Sequence, residues 1–250
     1  MHRLITVIFW LGLLLCPVPS WAFGLVGSAT HSDSASSTTC SPALTTGLAN
    51  GDIVFLLLKR SATNTDPTGV PTGFVQLGKS APGGAHFLYW KIAASESSWL
   101  VTWAAAERTG CTAVTYRSDF NVTSGADITF GNTAYTTTDT TARGVAITVP
   151  TANSPVIWFG NANNSTSQTI GAPSTGNPTG WTTDVSSVYD SGSRLYRTIT
   201  SVVWSGSGTT GNMDGTISVS TFDKHVFTVA LNPAAAGGAE TFGFRLRLTQ

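Results

Sequence analysis

No stretch after Ala22 sustains the 3.6-residue apolar period that an amphipathic helix requires. Apolar residues arrive instead in short runs or in alternation, cut by clusters of Gly, Pro, Asn, Asp and Ser. A chain patterned this way buries its apolar side chains by pairing strands and packing sheet on sheet. The pattern predicts strands at 52–59, 74–79, 86–93, 99–103, 111–117 and 145–149, then at 156–161, 181–185, 194–200, 216–220 and 225–232. Ile53 to Leu58 is apolar throughout, which predicts a strand covered on both faces. Residues 28–41, rich in Ser and Thr, read as an extended arm or a short edge strand. The expected fold class is all-β: an antiparallel, jelly-roll-like β-sandwich.

An internal repeat organises these strands. Ile53-Val54-Phe55 and Val156-Ile157-Trp158 each open a half. Pro71-Thr72-Gly73-Phe74 returns as Pro178-Thr179-Gly180-Trp181, and Leu88-Tyr89 returns at the same offset as Leu195-Tyr196. Each half closes on an apolar strand, Ala113 to Tyr116 and Thr228 to Leu231. Two such halves can bury each other's apolar faces, with Phe74 and Trp181 expected in equivalent buried positions. The expected layout is a signal segment at 1–22, an N-terminal arm at 23–50, one sandwich at 51–233 with halves at about 51–120 and 154–233, and a linker with a C-terminal strand at 234–250.

The first segment reads as an export signal. Met1-His2-Arg3 gives a positive start, and Leu4 to Leu15 is apolar apart from Thr6 and Gly12. Ser20-Trp21-Ala22 then offers small residues where a signal peptidase cuts, after Ala22. The run is short for a membrane span, so contact with a membrane is expected only through this segment. Its removal leaves Cys40 and Cys111, an even pair in an oxidising compartment. A structural disulfide and two buried thiols both satisfy that count; export favours the disulfide.

The order of Gly51-Asp52 with its apolar strand, Pro71-Thr72-Gly73-Phe74, Tyr89-Trp90-Lys91-Ile92-Ala93 and Tyr116-Arg117 resembles a duplicated β-sandwich domain of tailed-phage virion genes and some bacterial surface proteins. Ala126-Asp127 with its Thr-rich strand, and the second-half corner ending in Ala230-Leu231-Asn232-Pro233, fit the same template. The resemblance spans about residues 50–234 and implies a structural or recognition role at a virion or cell surface.

Residue chemistry narrows the remaining classes. Thirteen basic residues balance thirteen acidic ones, and only 10% of the chain is charged, so no basic face for nucleic acid is expected. No Gly-x-Ser-x-Gly elbow and no paired-His helix motif occurs, and no catalytic residue, cofactor or metal ligand set is assigned. A carboxylate pair such as Asp52 with Asp119 would be needed for a glycosidase, and nothing in the sequence favours it. Gly206-Ser207-Gly208-Thr209-Thr210-Gly211 matches a dinucleotide fingerprint by letter, but a strand rather than a helix follows it. Trp99, Trp103 and Trp204 are candidates for stacking on sugar rings, against the common role of aromatics as core filler. Phe242, Phe244, Leu246 and Leu248 alternate with Gly243, Arg245, Arg247 and Thr249, as in a strand that docks on a sheet edge of this chain or of a neighbouring subunit. The function expected is a non-enzymatic, exported or virion-surface structural or recognition protein. The alternative is a glycan-binding module; a secreted hydrolase ranks below both.

Overall fold

The computed structural model describes residues 23–232, apart from 61–64, 81–84, 119–121, 136, 164–167, 191–194 and 222. The signal segment expected at 1–22 and the docking strand expected to carry Phe242, Phe244, Leu246 and Leu248 fall outside the described residues. The strands are β1 (Phe23–Leu25), β2 (Thr30–Cys40), β3 (Ile53–Arg60), β4 (Val75–Ser80), β5 (Ala85–Ile92), β6 (Val101–Ser118), β7 (Ile128–Tyr135) and β8 (Asp139–Ala142). They continue with β9 (Thr148–Val149), β10 (Ser154–Asn163), β11 (Ile170–Pro173), β12 (Thr182–Asp190), β13 (Leu195–Trp204), β14 (Gly208–Thr209), β15 (Gly215–Thr221) and β16 (Asp223–Leu231). The fold is all-β, with antiparallel ladders throughout.

Two large sheets form the body. The first has the order β1-β6-β3-β5-β4, with β2 also on β6; the second has the order β12-β13-β10-β16-β7. Reading β3 against β10, β5 against β13, β4 against β12, β6 against β16 and β2 against β7 gives one common strand order. The sequence repeat is consistent with this order, which also takes in β2 and β7, outside the two half boundaries read from sequence. Residues 23–50 accordingly supply strands to the first sheet.

Period-two alternation sorts the side chains into three cores. Ile53, Phe55, Leu57, Leu88, Trp90 and Val114 meet Ile157, Phe159, Ile199, Phe227 and Val229 between the sheets. The opposite phase of the first sheet, including Val54, Leu56, Phe87 and Ala113, is covered by Trp99, Val101 and Trp103. The outer face of the second sheet, including Val156, Trp158 and Val226, is covered by Ile147, Ile170, Met213 and Ile217. These come from the strip carrying β11, β15 and β8 and from the segment around the β9–β14 pair. Every residue of β3 is buried as a result, as its unbroken apolar run predicts. Trp158 lies flat over Gly160 and Gly215, where an added Cβ would come within 2.1 and 2.8 Å of the indole. Its Nε1 donates to the Met213 carbonyl at 3.0 Å.

The strands expected at 99–103 and 111–117 are one strand. β6 runs 18 residues because β2 pairs along it through the charged stretch around Glu107. Register shifts between Ser34 and Ser37 and between Ser37 and Thr39 bend this ribbon, as bulges do. Cys40 pairs in register with Val101, yet its Cα lies 6.1 Å from that of Cys111, farther along β6. The ribbon therefore folds back over the outer face of the first sheet, and the Cys40–Cys111 disulfide pins it there. Gly73 and Gly180 both hold a positive φ at their Pro-Thr-Gly corners, of 86° and 79°. Phe74 and Trp181, expected to be buried, are instead half-buried at the margins of the two outer cores, because each corner precedes an edge strand.

Reducing the disulfide is expected to release this flap and lower stability by about 4 kcal/mol, as a closed loop of this length implies. Urea unfolding with and without reductant, followed by Trp fluorescence, measures it; unchanged midpoints would contradict the pinned flap.

Candidate functional site

The layer between the sheets changes character along its length. Leu57 is followed in phase by Lys59, Phe159 by Asn161 and Asn163, while His86 precedes Leu88, Thr112 precedes Val114, Arg197 precedes Ile199 and His225 precedes Phe227. Antiparallel register gathers these polar positions at one end: Lys59 stands opposite His86, Asn161 opposite Arg197 and His225, and Asn163 opposite Asp223. Lys59, His86, Asn161, Arg197 and His225 have no exposed surface, and Asp223 has 1%. Buried polar groups in such number must satisfy one another.

Most of them do so through two hydrogen-bonded chains, while His86 Nδ1 and Nε2 and Asn161 Oδ1 find no partner among the described residues. On one side, Arg197 pairs with Asp33 of β2 and donates to Thr112 Oγ1 at 2.5 Å, and His31 Nδ1 meets the same hydroxyl at 3.1 Å. On the other, Lys59 Nζ donates to Asn163 Oδ1 at 3.0 Å, and Asn163 Nδ2 donates to Asp223 Oδ2 at 2.9 Å. The second oxygen of Asp223 lies 2.6 Å from His225 Nε2, and His225 Nδ1 lies 2.7 Å from Ser80 Oγ. The rings of His86 and His225 stack with centroids 3.9 Å apart. Among the described residues, neither ring nitrogen of His86 finds a hydrogen-bond partner.

The electrostatics follow from this enclosure. Burial drives the Lys59 ammonium down to about 7, Arg197 adds to the shift, and Asp223 and Asp33 oppose it. Burial holds His86 well below its ordinary value, with His225, Lys59 and Arg197 adding to it. His31 is lowered to about 4 by burial and then by Arg197.

Three kinds of chemistry can be tested against this geometry. His86, Asp223 and His225 place ligating atoms within 4.8 Å of one another. The two rings, however, lie face to face at 20°, so their in-plane lone pairs run parallel instead of converging on one ion. His225 and Asp223 are also already hydrogen-bonded to each other. The series Ser80, His225, Asp223 has the connectivity of a nucleophile, its base and an orienting acid. Ser80 is only 3% exposed, its hydroxyl also reaches the Thr133 carbonyl at 3.2 Å, and the whole series is closed between the sheets. The third chemistry, between Lys59 and Asn163, needs no external substrate.

The residues singled out by sequence fall elsewhere. Trp99 and Trp103 share a face, as their spacing predicts, but that face is turned inward onto the first sheet; both are buried there and cannot stack on a sugar. Trp204 is half-buried, with Gly206 under its indole, and packs with Trp181 against the third core. Asp52 is not poised as an acid. Burial pushes its carboxyl up, but bonds from Arg117, both at 2.8 Å, and from the Ala49 amide outweigh this and hold it below its ordinary value. Asp119 lies outside the described residues. The Gly206–Gly211 segment contains the short strand β14, which pairs with β9. Comparisons with protein-family models, curated proteins and solved structures give no match.

Each lowered histidine binds its proton more weakly in the folded than in the unfolded chain. The stability it contributes is full above its ordinary value of 6.5 and drains as the pH falls, over a window reaching about 4 for His31. The melting temperature is expected to fall on acidification through that window, and less steeply in His86→Leu. Parallel pH profiles for the two proteins would contradict the assignment to His86.

Proposed function

We propose that this chain is a non-enzymatic structural or recognition protein, exported and displayed outside the cytoplasm, on a cell or virion surface. The observation that carries the reading is the Cys40–Cys111 disulfide, which holds the folded-back ribbon on the first sheet. Such a bond persists in an oxidising compartment, which agrees with the basic, apolar and small-residue order of the first 22 residues. A low charge content and hydroxyl-rich strands such as β2 suit a surface that resists adventitious binding. The groups with catalytic potential lie in the closed layer between the sheets, which supports a role for the outer surface and the edges. The alternating C-terminal segment with Phe242, Phe244, Leu246 and Leu248 is a candidate for joining neighbouring subunits.

A glycan-binding reading is favoured by one feature. Trp181 and Trp204 are both half-buried at one margin of the second sheet, and Trp181 lines a shallow cleft with Pro173, Gly176, Pro178 and Gly180. In this reading Trp181→Ala, which removes the ring that lines the cleft, abolishes glycan binding in a glycan-array assay, with the circular dichroism spectrum unchanged.

Protein recovered from its native source is expected to begin at Phe23, as N-terminal sequencing reads directly. A native chain beginning at Met1 would overturn the export reading.

A further inference from the structure

Lys59 belongs to β3, the central strand of the first sheet, and Asn163 to β10, the central strand of the second. We infer that these two side chains are joined by an intramolecular amide bond that the folded protein makes for itself, with Asp223 as the catalytic acid–base, so that the two sheets are covalently stapled across their interior.

The parts of an acyl transfer are already in contact. The Lys59 nitrogen lies 3.0 Å from the Asn163 carboxamide oxygen, on the group whose carbon it would attack. Asp223 accepts from the amide nitrogen that would leave, at 2.9 Å. Asn163 is fixed further by its backbone, which pairs with Asp223 and accepts from Thr221 Oγ1 at 2.8 Å. His225 occupies the other Asp223 oxygen, so the oxygen facing Asn163 is committed to that amide. Contact of this kind turns a slow encounter into an intramolecular step.

The enclosure supplies the reactive form of the nucleophile. An ammonium cannot attack a carbonyl, and burial, with Arg197 nearby, brings the Lys59 amine to about 7, where a large share is neutral. In the step, the Lys59 Nζ lone pair forms a bond to Asn163 Cγ. The Cγ–Nδ2 bond then breaks; the proton lost by Nζ passes through the Asp223 carboxyl to Nδ2, and ammonia leaves. One amide is exchanged for another, no electron is gained or lost, and no co-reactant is required. The product also removes a buried amine whose charged form this interior penalises, and leaves a neutral amide.

The bond is internal, so the inference stands apart from the export reading. Intact-mass spectrometry of the reduced, denatured protein, referred to its observed N-terminus, tests it. The expected mass is lower than the sequence mass by one ammonia, and a digest is expected to yield a branched peptide joining the segments that carry Lys59 and Asn163. Lys59→Met and Asp223→Asn are expected to show the full mass. A wild-type chain of full mass, with Lys59 and Asn163 recovered in separate linear peptides, overturns the inference. So does loss of ammonia that maps to any other residue.

Discussion

Strand β3 is covered on both faces along its whole length, and β10 over nearly all of its own, so almost every side chain they carry must find its partner inside the protein. The rest of the architecture follows from that enclosure. Each large sheet needs an outer cover, which the folded-back β2–β6 ribbon supplies on one side and the small strands around Met213 and Ile217 supply on the other. Between the sheets, an apolar region centred on Phe55 and Phe159 passes into a polar region centred on Lys59, Asn163 and Asp223. Hydrophobic burial holds the first region without directional demands, whereas the second holds only if its hydrogen bonds are made in one geometry.

Much of the fold is legible in the residues. The unbroken run from Ile53 to Leu58 marks a strand covered on both faces, and the Pro-Thr-Gly corners before Phe74 and Trp181 mark the turns that lead into the edge strands β4 and β12. What the pattern hides is the length of β6. Glu107 and Arg108 interrupt its apolar alternation, so two short strands are expected where β2 in fact pairs through the gap. Trp99 and Trp103 look free for the same reason: a ribbon that folds back over its own sheet leaves no local signature beyond the Ser-rich bulges of β2.

The polar layer leaves a signal, but an incomplete one. Lys59, His86, Thr112, Asn161, Arg197 and His225 all continue the period-two phase of core residues in their own strands. Phase fixes which way a side chain points, and depth depends on how far the opposite sheet extends. A lysine or arginine at a strand end is ordinarily solvated, and only the register of β10 with β13 and β16 reveals that this end is closed. The same closure separates geometry from activity. Ser80, His225 and Asp223 are connected as a catalytic relay would be, yet they sit where no outside substrate reaches, while Lys59 and Asn163 carry their reacting groups with them.

The central claim is that the polar layer is as much a closed part of the core as the apolar layer beside it. Native-state hydrogen exchange resolved by residue tests this most directly. The backbone amides of Lys59, His86, Asn161, Arg197 and His225 should be protected to the level of those of Phe55, Leu88, Phe159, Ile199 and Phe227, all opening only with global unfolding. Fast exchange confined to the first group, with the second still protected, would mean that the polar end opens on its own and would contradict the account.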